Sequence, residues 1–206
     1  MPTEAVQAEE NSQGKTYYVD SENGKDTNDG LSEGKAFQTL NKVNDLTLGA
    51  GDRVLLKNGS VFEDQALHIK GSGSENAPIK ISTYGDEKDG RPQINTNGHG
   101  QWELNYGHKL DNQNHKWHGT VSSSILLKDV EYIEIRGLEL TNDRETSKVD
   151  DGLKYNDANV MDRTGVAGVA KDKGTVDHIV LDDLYVHDVD GNVINKHMAN
   201  GGIYFI

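Results

Sequence analysis

The sequence predicts an all-β chain built as a parallel β-helix, a solenoid of short strands joined by corners and closed at its amino end by one α-helix. Three observations predict it. First, Ile133, Ile135, Leu138 and Leu140 return at one fixed spacing as Ile179, Leu181, Leu184 and Val186. In both copies two short alternating strands flank a polar pair, Arg136-Gly137 and then Asp182-Asp183. Alternation sends successive side chains to opposite faces of a strand. A two-residue break that preserves the inward set is therefore a corner and not a hairpin, and repeated corners stack layers that bury one another's apolar edges. Second, the apolar runs mostly lack the Asn-Gly or Asp-Gly hairpin turns of an antiparallel sandwich, and they are not separated by the helices of a doubly wound sheet. Third, a hydrophobic fraction of 33% with 23 Gly is lean for one thick core but sufficient for a thin column.

The elements follow in order. Residues 1–15 are polar and unpatterned, a disordered leader or the remnant of a signal peptide in which Val6-Gln7-Ala8 sits at the cleavage positions. Residues 16–206 form the β-helix domain. Tyr17 to Asp20 reads as a first strand, followed by a turn-rich loop through Asn23-Gly24 and Asp26 to Gly30. Ser32 to Leu46 carries Phe37, Leu40 and Val43 at helical spacing with Ser32 as cap, the one predicted helix, suited to cover the first layer. Val54-Leu55-Leu56, Leu67-His68-Ile69, Ile79-Lys80-Ile81 and Ile125-Leu126-Leu127 then read as short strands ahead of the repeat. Insertions interrupt them at 97–120 and 142–165, and long loops in a repeat are functional or disordered. The chain stops at Gly202-Ile203-Tyr204-Phe205-Ile206, within an apolar strand. An open strand stack is an aggregation template, so a carboxy-terminal truncation of a longer protein is expected.

Charge and composition exclude several classes. A net charge of −13 disfavours nucleic acid, which needs clustered Lys and Arg. No apolar run approaches the ~18–20 residues of a membrane span. With no cysteine there is neither a disulfide framework nor a thiolate metal site.

Tyr17 to Ser32, Ala36-Phe37-Gln38-Thr39-Leu40, Gly51 to Lys57 and Ala77 to Gly85 together resemble the start of bacterial right-handed parallel β-helix proteins of the pectate-lyase superfold. That resemblance covers about residues 17–206 and implies a right-handed coil and an exported polysaccharide lyase or glycoside hydrolase, secreted or at the cell surface. Val186 to Gly191 and Asn200 to Phe205 look most like the lacto-N-biosidase type of glycoside hydrolase. Membership would imply release of a disaccharide from milk-type or mucin-type glycans by two aspartates. No matched motif places that pair, which lies either in the cluster described next or beyond Ile206.

The residues themselves offer one dense cluster, Asp182, Asp183, His187, Asp188 and Asp190. Glycoside hydrolysis needs two carboxyl groups about 5–5.5 Å apart for retention or about 6.5–9.5 Å for inversion, one protonated and one ionised. Asp183 or Asp188 with Asp190 is the candidate pair, beside His187. Aspartates in such turns equally serve to satisfy backbone N–H groups. Tyr185, Lys196 and His197 are expected to face the same groove and bind substrate. Trp102, Tyr106 and Trp117 form a second candidate sugar platform, since aromatic faces cover the apolar side of a pyranose; packing on the flank is the competing account. No metal site is expected: His99, His108, His115 and His118 lack zinc spacing, and Asp26, Asn28 and Asp29 resemble a calcium loop only superficially and read as turn formers.

The expected protein is thus a monomeric glycosidase of extracellular oligosaccharides or polysaccharides, with no cofactor. A lyase using Lys196 as base with Ca²⁺ held by the nearby aspartates, and a non-catalytic glycan-binding or adhesin stalk, are the competing functions.

Overall fold

The computed structural model describes residues 14–107, 109, 117–143, 161–191 and 199–206. Its strands are short because Gly, Asn and Asp interrupt every apolar run. In chain order they are β1 (Thr16–Val19), β2 (Arg53–Lys57), β3 (Val61–Glu63), β4 (Leu67–Ile69), β5 (Ile79–Tyr84), β6 (Gln93–Asn95), β7 (Gln101–Asn105), β8 (His118–Lys128), β9 (Ile133–Arg136), β10 (Glu139–Asn142), β11 (Asp162–Val169), β12 (Ile179–Asp182), β13 (Tyr185–Val189) and β14 (Gly201–Phe205). One helix, α1 (Leu40–Asn44), precedes β2. No helix among the described residues is long and apolar enough to cross a membrane.

The strands form three separate sheets, in the orders β1-β2-β5-β9-β12, β3-β6-β10-β13 and β4-β8-β11-β14. Pairing within all three is parallel, and β7 adds to β8 in antiparallel register. This corrects the expectation of a right-handed parallel β-helix closed by one amino-terminal capping helix. The described residues give three parallel sheets, not a solenoid, and an antiparallel strand from the 97–120 insertion lies on the third. The helix is also much shorter than the expected Ser32–Leu46. A 3-10 turn at Glu33–Lys35 ends at an extended Ala36, Ser32 makes no side-chain cap, and Phe37 is bridged to Val19. Only Leu40 and Val43 bury on a helical face, so one turn forms.

Residues that echo one another in sequence sit side by side. Ile133 pairs with Ile179, Ile135 with Leu181, and Leu140 with Val186. The corner between them needs a left-handed residue, which Gly137 (φ 78°) supplies once and Asp183 (φ 52°) the second time. The inward aliphatics of all three sheets meet in one core: Val54, Leu56, Ile81 and Ile135 from the first, Phe62, Ile94 and Leu140 from the second, Leu67, Ile125 and Val166 from the third. Fully burying each such side chain contributes about 1.5–3 kcal/mol.

Beyond the short β3 to β4 link, the connections from the second sheet to the third are long in sequence, running from β6 to β8, β10 to β11 and β13 to β14. A fully buried amide ties that corner together. The Asn142 carbonyl oxygen accepts the Gly98 N–H at 2.9 Å. Its amide group donates to the backbone carbonyls of Ser122 and Thr164, each at 3.1 Å, and to the Ser122 hydroxyl at 3.0 Å. One side chain thereby links β10 to β8, β11 and the 97–100 segment. Asn142→Ala would leave several buried backbone groups without partners, at about 1–3 kcal/mol each before relaxation. Urea denaturation is expected to show a loss of about 2–4 kcal/mol, against less than about 0.5 kcal/mol for the exposed Val180→Ala.

Candidate functional site

The outward face of the second sheet gathers most of the polar chemistry. Because Phe62, Ile94 and Leu140 point into the core, alternation turns Val61 and Glu63, Gln93 and Asn95, Glu139 and Thr141 outward on successive strands. Register aligns Val61, Gln93, Glu139 and Tyr185 in one row, and Glu63, Asn95 and Thr141 in the next. Side chains couple along both rows. The Gln93 amide donates to Glu139 Oε1 at 2.8 Å, the Thr141 hydroxyl donates to Asn95 Oδ1 at 2.8 Å, and the Asn95 amide donates to Glu63 Oε1 at 2.7 Å.

The expected cluster on β13 terminates this face. His187 lies between two carboxylates, Nδ1 at 2.8 Å from Asp188 and Nε2 at 3.1 Å from Glu139. Burial opposes its charged form, but those two carboxylates outweigh burial and raise the imidazole above its ordinary value. With both ring nitrogens engaged, His187 is an imidazolium clamp rather than a free base. The ring also keeps Asp188 and Glu139 farther apart than the ~5–5.5 Å of a retaining pair. Tyr185 stacks on it, with ring centroids 4.2 Å apart and an interplanar angle of 25°.

Asp183 is placed differently. It occupies the corner before β13, where the Arg91 guanidinium reaches its carboxylate at 2.8 Å and also its backbone carbonyl. That partner holds the carboxyl below the usual range, which suits an ionised anchor and not a proton donor. Four residues separate it from Asp188, a distance on the order of 15 Å along extended chain. Asp190 follows β13 directly, its N–H donating to the Asn142 carbonyl at 3.2 Å, so Asp188 and Asp190 are the aspartates that the strand end brings near each other.

The aromatic insertion packs on the flank of the third sheet. Trp102 donates its indole N–H to the Ser123 hydroxyl at 2.7 Å and covers Leu126, Ala167 and Val169. Tyr106 joins Leu104, Val121, Ala199 and Tyr204; burial first, then its hydrogen bond to Tyr204, push its phenol up. Trp117 meets His118 edge to face at 4.4 Å. Lys196 and His197 lie outside the described residues, as do His108 and His115. Asp29 forms a local turn, accepting the Leu31 N–H at 3.0 Å, whereas Asp26 is not the expected turn former but a longer-range tie that accepts the Gln38 and Thr39 N–H groups at 2.9 Å. Among the described residues no group of three or more His, Asp or Glu is arranged to hold a metal ion.

Sequence reasoning missed Glu63, Arg91, Gln93, Asn95 and Glu139. A signal for three of them existed: Gln93 and Asn95 bond to Glu139 and Thr141 across a separation of 46 residues, the same interval that relates Glu139 to Tyr185. Carrying the repeat one step back would have found that row.

The His187 clamp has a measurable sign. A raised folded-state value means its stabilisation is complete below the ordinary imidazole pKa of about 6.5 and is lost as pH rises through the folded value. An NMR titration is expected to place His187 above 6.5, and Glu139→Gln combined with Asp188→Asn is expected to bring it to or below that value. A wild-type imidazole titrating below 6.5 would contradict the geometry.

No family model matches the chain. It is 51% identical over 213 residues to a lacto-N-biosidase of Bifidobacterium longum subsp. longum, an alignment spanning 95% of this chain and 13% of that protein. The crystal structure of the GH136 lacto-N-biosidase from Eubacterium ramulus superposes with a TM-score of 0.83 at 47% identity, over 93% of this chain and 30% of that one; its selenomethionine derivative gives the same values. The chain is therefore homologous to a segment of the GH136 lacto-N-biosidases and spans less than a third of either relative's length.

Proposed function

We propose that the chain contributes to a glycoside hydrolase that acts on extracellular oligosaccharides and releases a disaccharide. The 51% identity to a lacto-N-biosidase carries this reading. Within this chain the proposed carboxylate pair is Asp188 and Asp190. Asp188, held at 2.8 Å by His187 Nδ1, takes the role of base or nucleophile, and Asp190 that of proton donor to the leaving oxygen. Asp183, bound by Arg91, anchors the corner that starts β13.

The test replaces the homologous segment of the Eubacterium ramulus enzyme with this chain and follows disaccharide release from a neutral milk-type tetrasaccharide. The chimera is expected to release the disaccharide, and Asp188→Asn or Asp190→Asn to lower kcat about 10²–10⁴-fold. Release unaffected by both substitutions would remove the pair from the mechanism. Ultraviolet-absorbing unsaturated ends would point to the lyase chemistry instead, and binding without turnover to a glycan-binding module.

A further inference from the structure

We infer that the outward face of the second sheet is a subsite for a neutral oligosaccharide, with Tyr185 as its stacking platform and Gln93, Asn95, Glu63 and Glu139 as its hydroxyl partners. It deepens the glycosidase reading by naming where sugar binds, but needs no bond cleavage.

Four observations converge on it. Tyr185 is 54% exposed, an unusual state for a large ring unless it has a partner or sits alone at a surface. It is not loosely held: one face lies against His187 at 4.2 Å, and His187 is fixed from both sides by Asp188 and Glu139. The exposed ring is thus oriented before any ligand arrives, which reduces the ordering cost of binding. An aromatic plane with polar groups beside it matches a pyranose, which has an apolar face of C–H groups and an equatorial rim of hydroxyls.

The second observation is the supply of hydrogen-bonding groups. The row Gln93, Glu139 and Tyr185 and the neighbouring row Glu63 and Asn95 place carboxylate acceptors and amide donors side by side. Sugar hydroxyls need both, and each carboxylate oxygen can accept more than one hydrogen bond. Third, adjacent strands are about 4.8 Å apart, so the four strands of this sheet offer a track of about 14 Å, long enough for a short oligosaccharide lying across them. Its far end carries Val61, also exposed at 44%.

The fourth observation is charge. Glu63, Asp64, Glu139 and Asp188 all belong to this face, and its cations are already engaged, Arg91 by Asp183 and the His187 ring by Asp188 and Glu139. On a chain of net charge −13, a uronate or phosphate ligand would meet net repulsion from these carboxylates. A neutral glycan meets none.

Equilibrium binding tests this separately from catalysis. The chain carrying Asp190→Asn, which prevents consumption of the probe under the mechanism above, is titrated with a neutral milk-type tetrasaccharide, an oligogalacturonate of equal length and a Lys-rich peptide. The tetrasaccharide is expected to bind best. Tyr185→Ala is expected to weaken it about tenfold, and Tyr185→Phe, which keeps the ring, to stay within about threefold. Gln93→Ala is expected to weaken it as well, and circular dichroism of each variant reports that the fold is kept. Unchanged affinity in Tyr185→Ala overturns the platform, as does absence of tetrasaccharide binding to the parent chain. Equal binding of the oligogalacturonate, or tighter salt-sensitive binding of the peptide, overturns the neutral-sugar assignment. If the chimera described above fails to hydrolyse while the tetrasaccharide still binds through Tyr185, the catalytic reading fails and the subsite stands.

Discussion

Parallel register is the constraint on which the rest depends. Each strand pairs with its counterpart one layer away so that like positions sit opposite one another: Ile81 with Ile135, Ile135 with Leu181, Ile94 with Leu140. A slip of one residue would turn every inward aliphatic outward. The same register aligns the outward side chains into rows, so the packing of the core and the geometry of the polar face are one requirement. Glu139 reaches both Gln93 and His187 because Ile94, Leu140 and Val186 are stacked behind them.

Corners and buried polar groups maintain that register where the chain leaves the strands. The tight corners adopt left-handed backbone at Gly137 and Asp183, and Arg91 fastens the second of these from another layer. At the opposite side of the second sheet the connections are long, and Asn142 substitutes for regular pairing by satisfying backbone groups from three segments. A buried amide of this kind is costly unless all its bonds are made, and a fully bonded one specifies a single arrangement.

The chemistry of the β13 region follows from its neighbours more than from its own residues. The sequence run Tyr-Val-His-Asp-Val-Asp suggests an acid and base cluster. In the fold, His187 is consumed by Asp188 and by Glu139 from the adjacent strand, and Asp183 by Arg91. Clamped groups of this kind are held in fixed orientation before any ligand arrives. The aromatic insertion was open between two accounts, and Trp102 and Tyr106 pack against the third sheet. The second sheet presents an exposed ring of its own in Tyr185.

Sequence alone determined the short alternating strands, the parallel echo of Ile133–Leu140 in Ile179–Val186, the two-residue corners within it and the kinship to lacto-N-biosidase-type enzymes, because each rests on local alternation or on residue identity at fixed spacing. It misjudged the helix, where spacing of Phe37 with Leu40 suggested continuity that an extended Ala36 and a Phe37 bridged to Val19 deny. It also suggested one solenoid where the described residues make three parallel sheets with an antiparallel addition. Only the tertiary structure decided which charges meet. Arg91 with Asp183 and Glu139 with His187 are partners separated by 92 and 48 residues, and such pairs arise from the pairing of distant strands within one sheet, which no local pattern encodes.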